Sequence, residues 1–179
     1  MKGLFKPVSH TKAGGASLDQ QIYTEAVERN SQRVFLLALS FTRHRQDAED
    51  VTQTVFLKLW KHPVAFADET HMDKWLTKVT VNESRSLLRA RARAPLSIDE
   101  LDALGTAARE PEEFDLISAV MRLPDPLRAV IHLRYYEDLS IKEIARLLHL
   151  SQAAVKMRLV RARKQLKPLL TEEEDHETE

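Results

Sequence analysis

Hydrophobic residues recur every three or four positions along most of the 179-residue chain, and no segment sustains the alternation typical of a strand. The four glycines and seven prolines lie outside or between these periodic stretches. Gly and Pro destabilise a helix interior by about 1 and 3 kcal/mol relative to Ala, so their exclusion indicates helices. The pattern predicts an all-α protein with helices at 17–42, 47–60, 72–91, 112–122, 126–137, 140–148 and 151–167.

Charge divides the chain into four parts. Residues 1–93 carry 15 basic and 10 acidic side chains, 94–115 carry one and seven, 116–170 carry 11 and four, and 171–179 carry none and six. We therefore predict two small helical domains, an N-terminal block at 17–93 and a C-terminal block at 116–170. A flexible acidic linker at 94–115 joins them, an acidic tail follows at 171–179, and residues 1–16 have the composition of a disordered N-terminus.

Several classes of protein are excluded by what the sequence lacks. With no cysteine, it has no disulfide, iron–sulfur cluster, zinc finger or thiol nucleophile. No stretch approaches the roughly 20 apolar residues of a membrane span. The seven histidines show no metal-ligand spacing, and neither a nucleophile motif nor a glycine-rich phosphate loop is present. We expect a soluble cytoplasmic protein that is not an enzyme, with no catalytic residue, cofactor or metal.

The last predicted helix has an apolar face and a basic face. Val155, Leu159, Ala162 and Leu166 fall on one side. A short helix at 140–148, opened by the capping-box pair Ser140 and Glu143, precedes it, and Ser151 is a suitable N-cap. This layout is typical of a helix-turn-helix whose second helix enters the major groove. The alternative is an ordinary surface helix. The outward side presents Lys156, Met157, Val160, Arg161 and Lys164, flanked by Arg158 and Arg163.

A second basic stripe lies on the third predicted helix. Like charges at this spacing repel one another, and a bound polyanion removes that repulsion. Asn82 can donate to and accept from a base edge, and Trp75 beside the stripe can stack on an unpaired base. The alternative is a solvated face with Trp75 in the core. The stripe comprises Lys74, Lys78, Asn82, Arg85 and Arg89.

The second predicted helix mixes apolar and polar residues on its outward side. Its inward face is Ala48, Val51, Val55 and Leu59. A mixed patch anchored by an aromatic residue suits a protein partner. The alternative is that Leu57 and Trp60 pack within the block. The outward side carries Asp50, Gln53, Leu57, Trp60 and Lys61.

Both blocks resemble regions of a known family. In the N-terminal block, the stretches DAEDVTQTVFLKLWKH (47–62) and WLTKVTVNESRSLLR (75–89) together resemble region 2 of bacterial sigma factors. The C-terminal block resembles their region 4 through the stretch LPDPLRAVIHLRYYEDLSIKEIARLLHLSQAAVKMRLVRARKQLK (123–167). A chain with only these two regions is similar to the extracytoplasmic-function (ECF) group of the sigma-70 family. The resemblance makes the N-terminal block region 2 and the C-terminal block region 4, with the linker threading the polymerase channel.

The resemblance also implies a role for each face. The polymerase surface, which docks on the clamp coiled coil of the largest subunit, comprises Asp47, Asp50, Gln53, Phe56, Leu57 and Trp60. The minus-10 surface, which recognises and opens DNA together with the loop at 66–73, comprises Lys74, Trp75, Lys78, Asn82, Arg85 and Arg89. The minus-35 surface comprises Ser151, Gln152, Lys156, Met157, Arg158, Val160, Arg161, Arg163 and Lys164.

The partners implied are core RNA polymerase, through its clamp coiled coil and flap, promoter DNA, and an anti-sigma factor. No small-molecule substrate and no membrane insertion are implied. The protein would lie in the cytoplasm, associated with the nucleoid through polymerase or held near the membrane by an anti-sigma factor.

Five positions depart from the family pattern. Thr54 replaces a usual glutamate in the polymerase surface, and Ser86 replaces a frequent acid. Ala154 replaces a common threonine, and Met157 replaces a small hydroxyl residue, so the minus-35 preference is not transferable from relatives. Asp138 replaces a frequent glycine in a turn, which Asp tolerates in the left-handed conformation.

Two other functions remain open from the sequence. A helix-turn-helix regulator would bind duplex DNA without polymerase and would not need the stripe around Asn82. A helical adaptor would use its faces for protein contacts alone and would show no salt-dependent affinity for DNA.

Overall fold

A computed structural model describes residues 20–62, 66–93 and 116–174, with side chains described for all of these except 116–118 and 169–174. These ranges contain seven helices and no strand, in agreement with the all-α prediction. The helices are α1 (Gln20–Thr42), α2 (Arg45–Trp60), α3 (Glu69–Arg91), α4 (Leu116–Arg122), α5 (Asp125–Tyr135), α6 (Ile141–Leu148) and α7 (Gln152–Glu174).

The N-terminal block is a three-helix bundle in which α1 packs on both α2 and α3. The four inward residues predicted for α2 are all buried, so that face is confirmed. α3 begins at Glu69, earlier than the predicted 72, because Asp68 caps it by accepting a hydrogen bond of 2.7 Å from the His71 amide. The helix start predicted at residue 17 lies outside the described residues.

The C-terminal block contains the helix-turn-helix in α6 and α7. The predicted capping box is confirmed: the Glu143 amide donates to Ser140 Oγ over 3.2 Å, and the Ser140 amide donates to Glu143 Oε2 over 2.9 Å. The N-cap at Ser151 is also confirmed, since its Oγ accepts from the Ala154 amide at 3.1 Å.

The turn between α6 and α7 is made without glycine. His149 takes the left-handed conformation, with φ 56° and ψ 48°. The Leu150 amide then reaches back to the carbonyl of Ala145 at 2.8 Å, while the His149 amide bonds the carbonyl of Arg146 at 3.3 Å. These two bonds form a Schellman motif, which ends α6 and turns the chain into α7.

The ends of two helices differ from the prediction. α5 ends at Tyr135 instead of 137, because Asp138 turns the chain with a φ of 49°; this is the left-handed conformation anticipated for that aspartate. α7 runs to Glu174 instead of ending at 167, and it passes Pro168, which has no amide hydrogen to donate. Residues 171–174 of the predicted acidic tail thus form the end of this helix.

The two blocks pack directly on each other, which the sequence pattern does not predict. α1 lies against α5, and Leu37, Phe41 and Val81 of the N-terminal block share one buried cluster with the core of the C-terminal block. The acidic linker at 94–115 lies outside the described residues. The blocks are therefore joined by buried contacts as well as by covalent continuity.

Polar groups cross the same interface. Arg33 donates from Nη2 to Glu137 Oε2 over 2.7 Å, and Thr77 Oγ1 lies 2.5 Å from the same oxygen. The Glu137 side chain is wholly buried. Arg128, also fully buried, donates from Nε to the carbonyl of Ser40 in α1 over 2.6 Å. Buried charges are tolerated only when paired, and these two are.

Candidate functional site

The outward face of α7 is basic at its flanks, and its centre is apolar from Ala153 to Val160 and basic at Lys164. Lys156 and Arg161 are exposed on either side of Met157 and Val160, which are 55% and 56% exposed. Val155, Leu159, Ala162 and Leu166 are buried on the opposite side, as predicted. Of the remaining predicted minus-35 residues, Arg158 is half-buried and the others are exposed: Ser151, Gln152, Arg163 and Lys164.

The predicted minus-10 stripe of α3 is only partly open to solvent. Lys78, Asn82 and Arg89 are exposed. Lys74, although exposed, forms an ion pair of 3.1 Å with Glu143 of α6, and Arg85 donates to the carbonyl of Leu147 at 3.3 Å. Two members of the stripe are therefore held by the helix-turn-helix.

Trp75 stands in an aromatic cluster beside the stripe. Its ring centroid lies 4.8 Å from that of His62 and 5.6 Å from that of Phe66. His62 stacks on Phe66 at 4.6 Å, and the His71 ring lies 5.6 Å from Phe66. The sequence analysis singled out Trp75 and the loop at 66–73, which contains Phe66 and His71, but it did not name the three partner rings individually. A run of aromatic rings at 62, 66, 71 and 75 is the only signal that could have found them.

The outward face of α2 is apolar at its centre. Asp50 and Gln53 are exposed, and Leu57 is 56% exposed. Trp60, 36% exposed, meets Tyr23 of α1 edge-to-face at a centroid distance of 4.9 Å. It therefore rests partly on the block and partly in solvent.

Two residues predicted for the polymerase surface lie inside the N-terminal block. Phe56 is buried in the core, and Asp47 is buried and paired with Arg91. Phe56 lies at one edge of the inward face, about 80° around the helix from Ala48, and packs into the core. Asp47 lies at the opposite edge of that face. The structure therefore removes both from the predicted contact surface.

Two titratable groups at the block interface have shifted pKa values. Burial lowers the pKa of His132 to about 4, which outweighs the favourable charge of Glu137, 3.9 Å away. His132 is therefore neutral at pH 7. Hydrogen bonds from the Ser140 hydroxyl and amide, then from Lys74, lower the pKa of Glu143 to about 2, so this carboxylate stays charged beside Lys74.

The residues that the structure describes contain neither a candidate metal site nor a candidate membrane span. No group of three acidic or histidine side chains there could hold a metal ion. No helix in the same ranges is both long and apolar enough to cross a membrane.

Comparison with known families accounts for both blocks. Residues 26–94 match the family described as Sigma-70 region 2, and residues 113–166 match Sigma-70, region 4. The chain belongs to the sigma-70 family. Its members initiate transcription, and the two basic helices α3 and α7 fall one in each region.

Curated relatives place it in the ECF group. It is 30% identical to the RNA polymerase sigma-H factor of Pseudomonas aeruginosa over 86% of this chain and 96% of that protein. It is also 30% identical to the ECF RNA polymerase sigma-E factor of Escherichia coli K12, over 82% of this chain and 91% of that protein. A probable RNA polymerase sigma factor RfaY of Xanthomonas campestris is 31% identical over 80% of this chain but only 39% of its own length.

Two solved structures share the fold. The sigma factor RpoE of Bartonella quintana, crystallised with the anti-sigma factor NepR, aligns with a TM-score of 0.63 at 22% identity over 84% of this chain and 98% of that one. CnrH, in complex with the cytosolic domain of CnrY, aligns with a TM-score of 0.55 at 27% identity, over 86% of this chain and 90% of the CnrH chain.

Proposed function

We propose that this sigma factor binds core RNA polymerase, directs it to promoters through minus-35 and minus-10 elements, and helps to open the DNA. The observation that carries the proposal is the pairing of two cationic helix faces, on α3 and α7, with an outward face on α2 where the exposed Leu57 and Trp60 stand among polar residues. In this proposal residues 17–93 act as region 2, residues 116–170 as region 4, and 94–115 as the linker.

The α7 face suits duplex DNA. Lys156, Arg161 and Lys164 supply positive charge to the phosphates on either side of the major groove. No acidic residue occurs from Gln152 to Lys167, so nothing on this stretch of α7 repels a phosphate. The face on α3 suits opened DNA, because Asn82 can bond a base edge, and the half-buried Trp75 and the exposed His71 offer rings for stacking.

The α2 face suits a protein. Leu57 is exposed at its centre, Trp60 supplies an aromatic anchor, and Asp50 and Gln53 supply a polar rim. We propose that this face docks on the clamp coiled coil of the polymerase, while the C-terminal block approaches the flap. Phosphodiester chemistry then belongs to the core enzyme, and the sigma factor itself is not an enzyme.

Promoter binding requires the two blocks to separate. Elements centred at minus-35 and minus-10 are about 25 base pairs apart, which is roughly 85 Å of duplex at about 3.4 Å per base pair. In the packed arrangement α6 touches α3, and α7 is only about 35 Å long at 1.5 Å per residue. We propose that the free chain is closed and that core polymerase holds the blocks apart.

An anti-sigma factor is the further partner we propose, since the structural relatives are complexes with the anti-sigma factor NepR and with the cytosolic domain of CnrY. We place the protein in the cytoplasm, because polymerase and the nucleoid are there.

Run-off transcription tests the proposal. Purified core polymerase is incubated with a promoter library, with and without the chain, and transcripts are sequenced. We expect transcripts from a defined promoter set only when the chain is present. Salt-dependent binding of duplex DNA with no transcription would instead favour a helix-turn-helix regulator. Absence of both activities would favour a protein adaptor.

A further inference from the structure

Between Ala153 and Val160 the centre of the outward face of α7 carries no charge. At 100° per residue, Ala153, Met157 and Val160 lie within about 50° of the direction opposite the buried stripe, with Lys156 to one side and Arg161 to the other. Lys164 follows near the same line, one turn after Val160. Met157 and Val160 are among the few large apolar side chains of the described residues that are more than half exposed. Removing apolar surface from water is favourable, so a partner that covers these side chains gains affinity.

The flanking charges identify that partner as duplex DNA. Two cationic edges with an apolar centre fit a major groove, where phosphates line both sides and base edges form the floor. On that floor the C5-methyl group of thymine is the apolar feature that side chains contact. Met157 and Val160 are three residues apart, about 4.5 Å along the helix axis, which lies between one and two base-pair steps of about 3.4 Å.

We propose that Met157 and Val160 read thymines in the minus-35 element through their C5-methyl groups. This inference rests on the proposed function and specifies the base that the α7 face recognises. Lys156 and Arg161 flank the two apolar side chains, which distinguish thymine from cytosine or uracil at one or two adjacent steps.

Replacing thymine by deoxyuridine tests the inference, because it removes the methyl group and leaves the hydrogen-bonding edge unchanged. Holoenzyme reconstituted from core polymerase and the full chain is assayed on a promoter selected in the run-off experiment. Each minus-35 thymine, on either strand, is substituted in turn. We expect a three- to tenfold loss of promoter affinity at one or two positions, corresponding to one methyl group moved from apolar contact into water.

Variants show which side chains detect the methyl group. In the double variant Met157→Ala and Val160→Ala, the thymine-to-deoxyuridine affinity ratio should fall to one. Tyr135→Ala is a matched control, because Tyr135 is also 56% exposed but lies on α5, and it should leave the ratio unchanged.

The outcomes separate the inference from the proposed function. If transcription depends on the minus-35 sequence but every deoxyuridine substitution is neutral, the methyl inference is wrong and the proposed function stands. The same conclusion follows if the double variant keeps the wild-type ratio. If no transcription depends on the chain, both are overturned.

Discussion

Arg33 in α1 and Glu137 in the turn after α5 stand 104 positions apart in sequence, yet the guanidinium bonds both carboxylate oxygens, at 2.7–3.2 Å. Burial of Arg33 opposes its charge, but the hydrogen bonds and charge of Glu137 outweigh burial and raise the pKa of the guanidinium. Thr77 of α3 completes the site. One carboxylate of the C-terminal block thus joins two helices of the N-terminal block.

Replacing this carboxylate should open the molecule. Removing one partner of a buried ion pair typically destabilises by about 3–5 kcal/mol, so Glu137→Gln should shift the free chain toward separated blocks. Because the chain has no cysteine, cysteines introduced at the exposed Gln53 and Gln165 can carry a fluorophore pair. We expect the energy-transfer efficiency to fall in the variant.

The neighbouring acid provides the control. Asp138→Asn also removes one negative charge, but Asp138 is exposed and asparagine tolerates its positive φ. Its energy-transfer efficiency should match that of the unsubstituted chain. If Glu137→Gln gave that value too, the ion pair would not hold the blocks together.

Acid should weaken the fold through His132. Its folded pKa of about 4 lies below the ordinary value of 6.5, so the unfolded chain binds a proton that the folded chain does not. The contribution of His132 to the free energy of unfolding is fully present above pH 6.5 and is lost as the pH falls toward 4. The unfolding free energy changes by at most about 1.4 kcal/mol per pH unit through this residue.

Urea unfolding midpoints between pH 7 and 5 measure this effect, and His132→Gln should flatten the curve over that range. Glu143, with a pKa lowered from 4.5 to about 2, contributes only at lower pH, since its stabilisation is lost below 4.5. An equal slope in the chain with and without His132 would assign the acid sensitivity to other groups.

Leu57 and Phe56 are adjacent but should behave oppositely. Leu57→Ala removes an exposed side chain, so it should leave the unfolding free energy within about 0.5 kcal/mol while weakening core polymerase binding by roughly 1–2 kcal/mol. Phe56→Ala should lower the unfolding free energy by about 3–5 kcal/mol, because Phe56 is in the core. Denaturation and polymerase titration, run on both variants, separate the two effects. Unchanged polymerase affinity in Leu57→Ala would move the docking surface off α2.

Arg161 should contribute to promoter choice as well as to charge. If it bonds a base edge, Arg161→Ala should cost about 1–3 kcal/mol on the preferred minus-35 sequence and relax selection at one position. If Arg161 contacts a phosphate instead, the substitution should weaken binding to all DNA sequences alike. It should also reduce the slope of the logarithm of the binding constant against the logarithm of salt concentration by about one. Arg45→Ala, which removes an exposed arginine paired with Glu49 on α2, is the control and should change neither.

Glycine in place of His149 should stabilise the C-terminal block. A side chain in the left-handed conformation carries a steric penalty that glycine lacks, so His149→Gly should raise the unfolding free energy by about 0.5–1 kcal/mol. His149→Ala keeps the Cβ atom and should give no such gain. Equal midpoints for both variants would show that the turn is not strained.

Local patterns in the sequence predicted local structure. The pair Ser140 and Glu143 predicted the start of a helix, because a capping box depends only on two residues three positions apart. The buried face of α7 was predicted from the helical period of its apolar residues. The end of α7 was missed because Pro168 normally stops a helix, whereas here the helix continues past it.

The contacts between blocks could not be predicted in this way. Arg33 and Glu137, taken singly, resemble ordinary surface charges, and nothing within a few residues of either identifies the other. Asp47 shows the same limit within the N-terminal block: an acid at the start of a helix suggests exposure, but Arg91, 44 positions later, pairs with it in the interior.

Arg128 has a consequence for how the closed form opens. Of its four hydrogen-bond acceptors, the carbonyls of Met121 and Leu123 and the carboxylate of Asp125 belong to the C-terminal block, and only the carbonyl of Ser40 belongs to α1. When the blocks part, the guanidinium keeps three of its acceptors, and water can reach the one carbonyl left behind. Separation of the blocks therefore leaves no unpaired buried cation, and the two surfaces can associate again without either block having to refold.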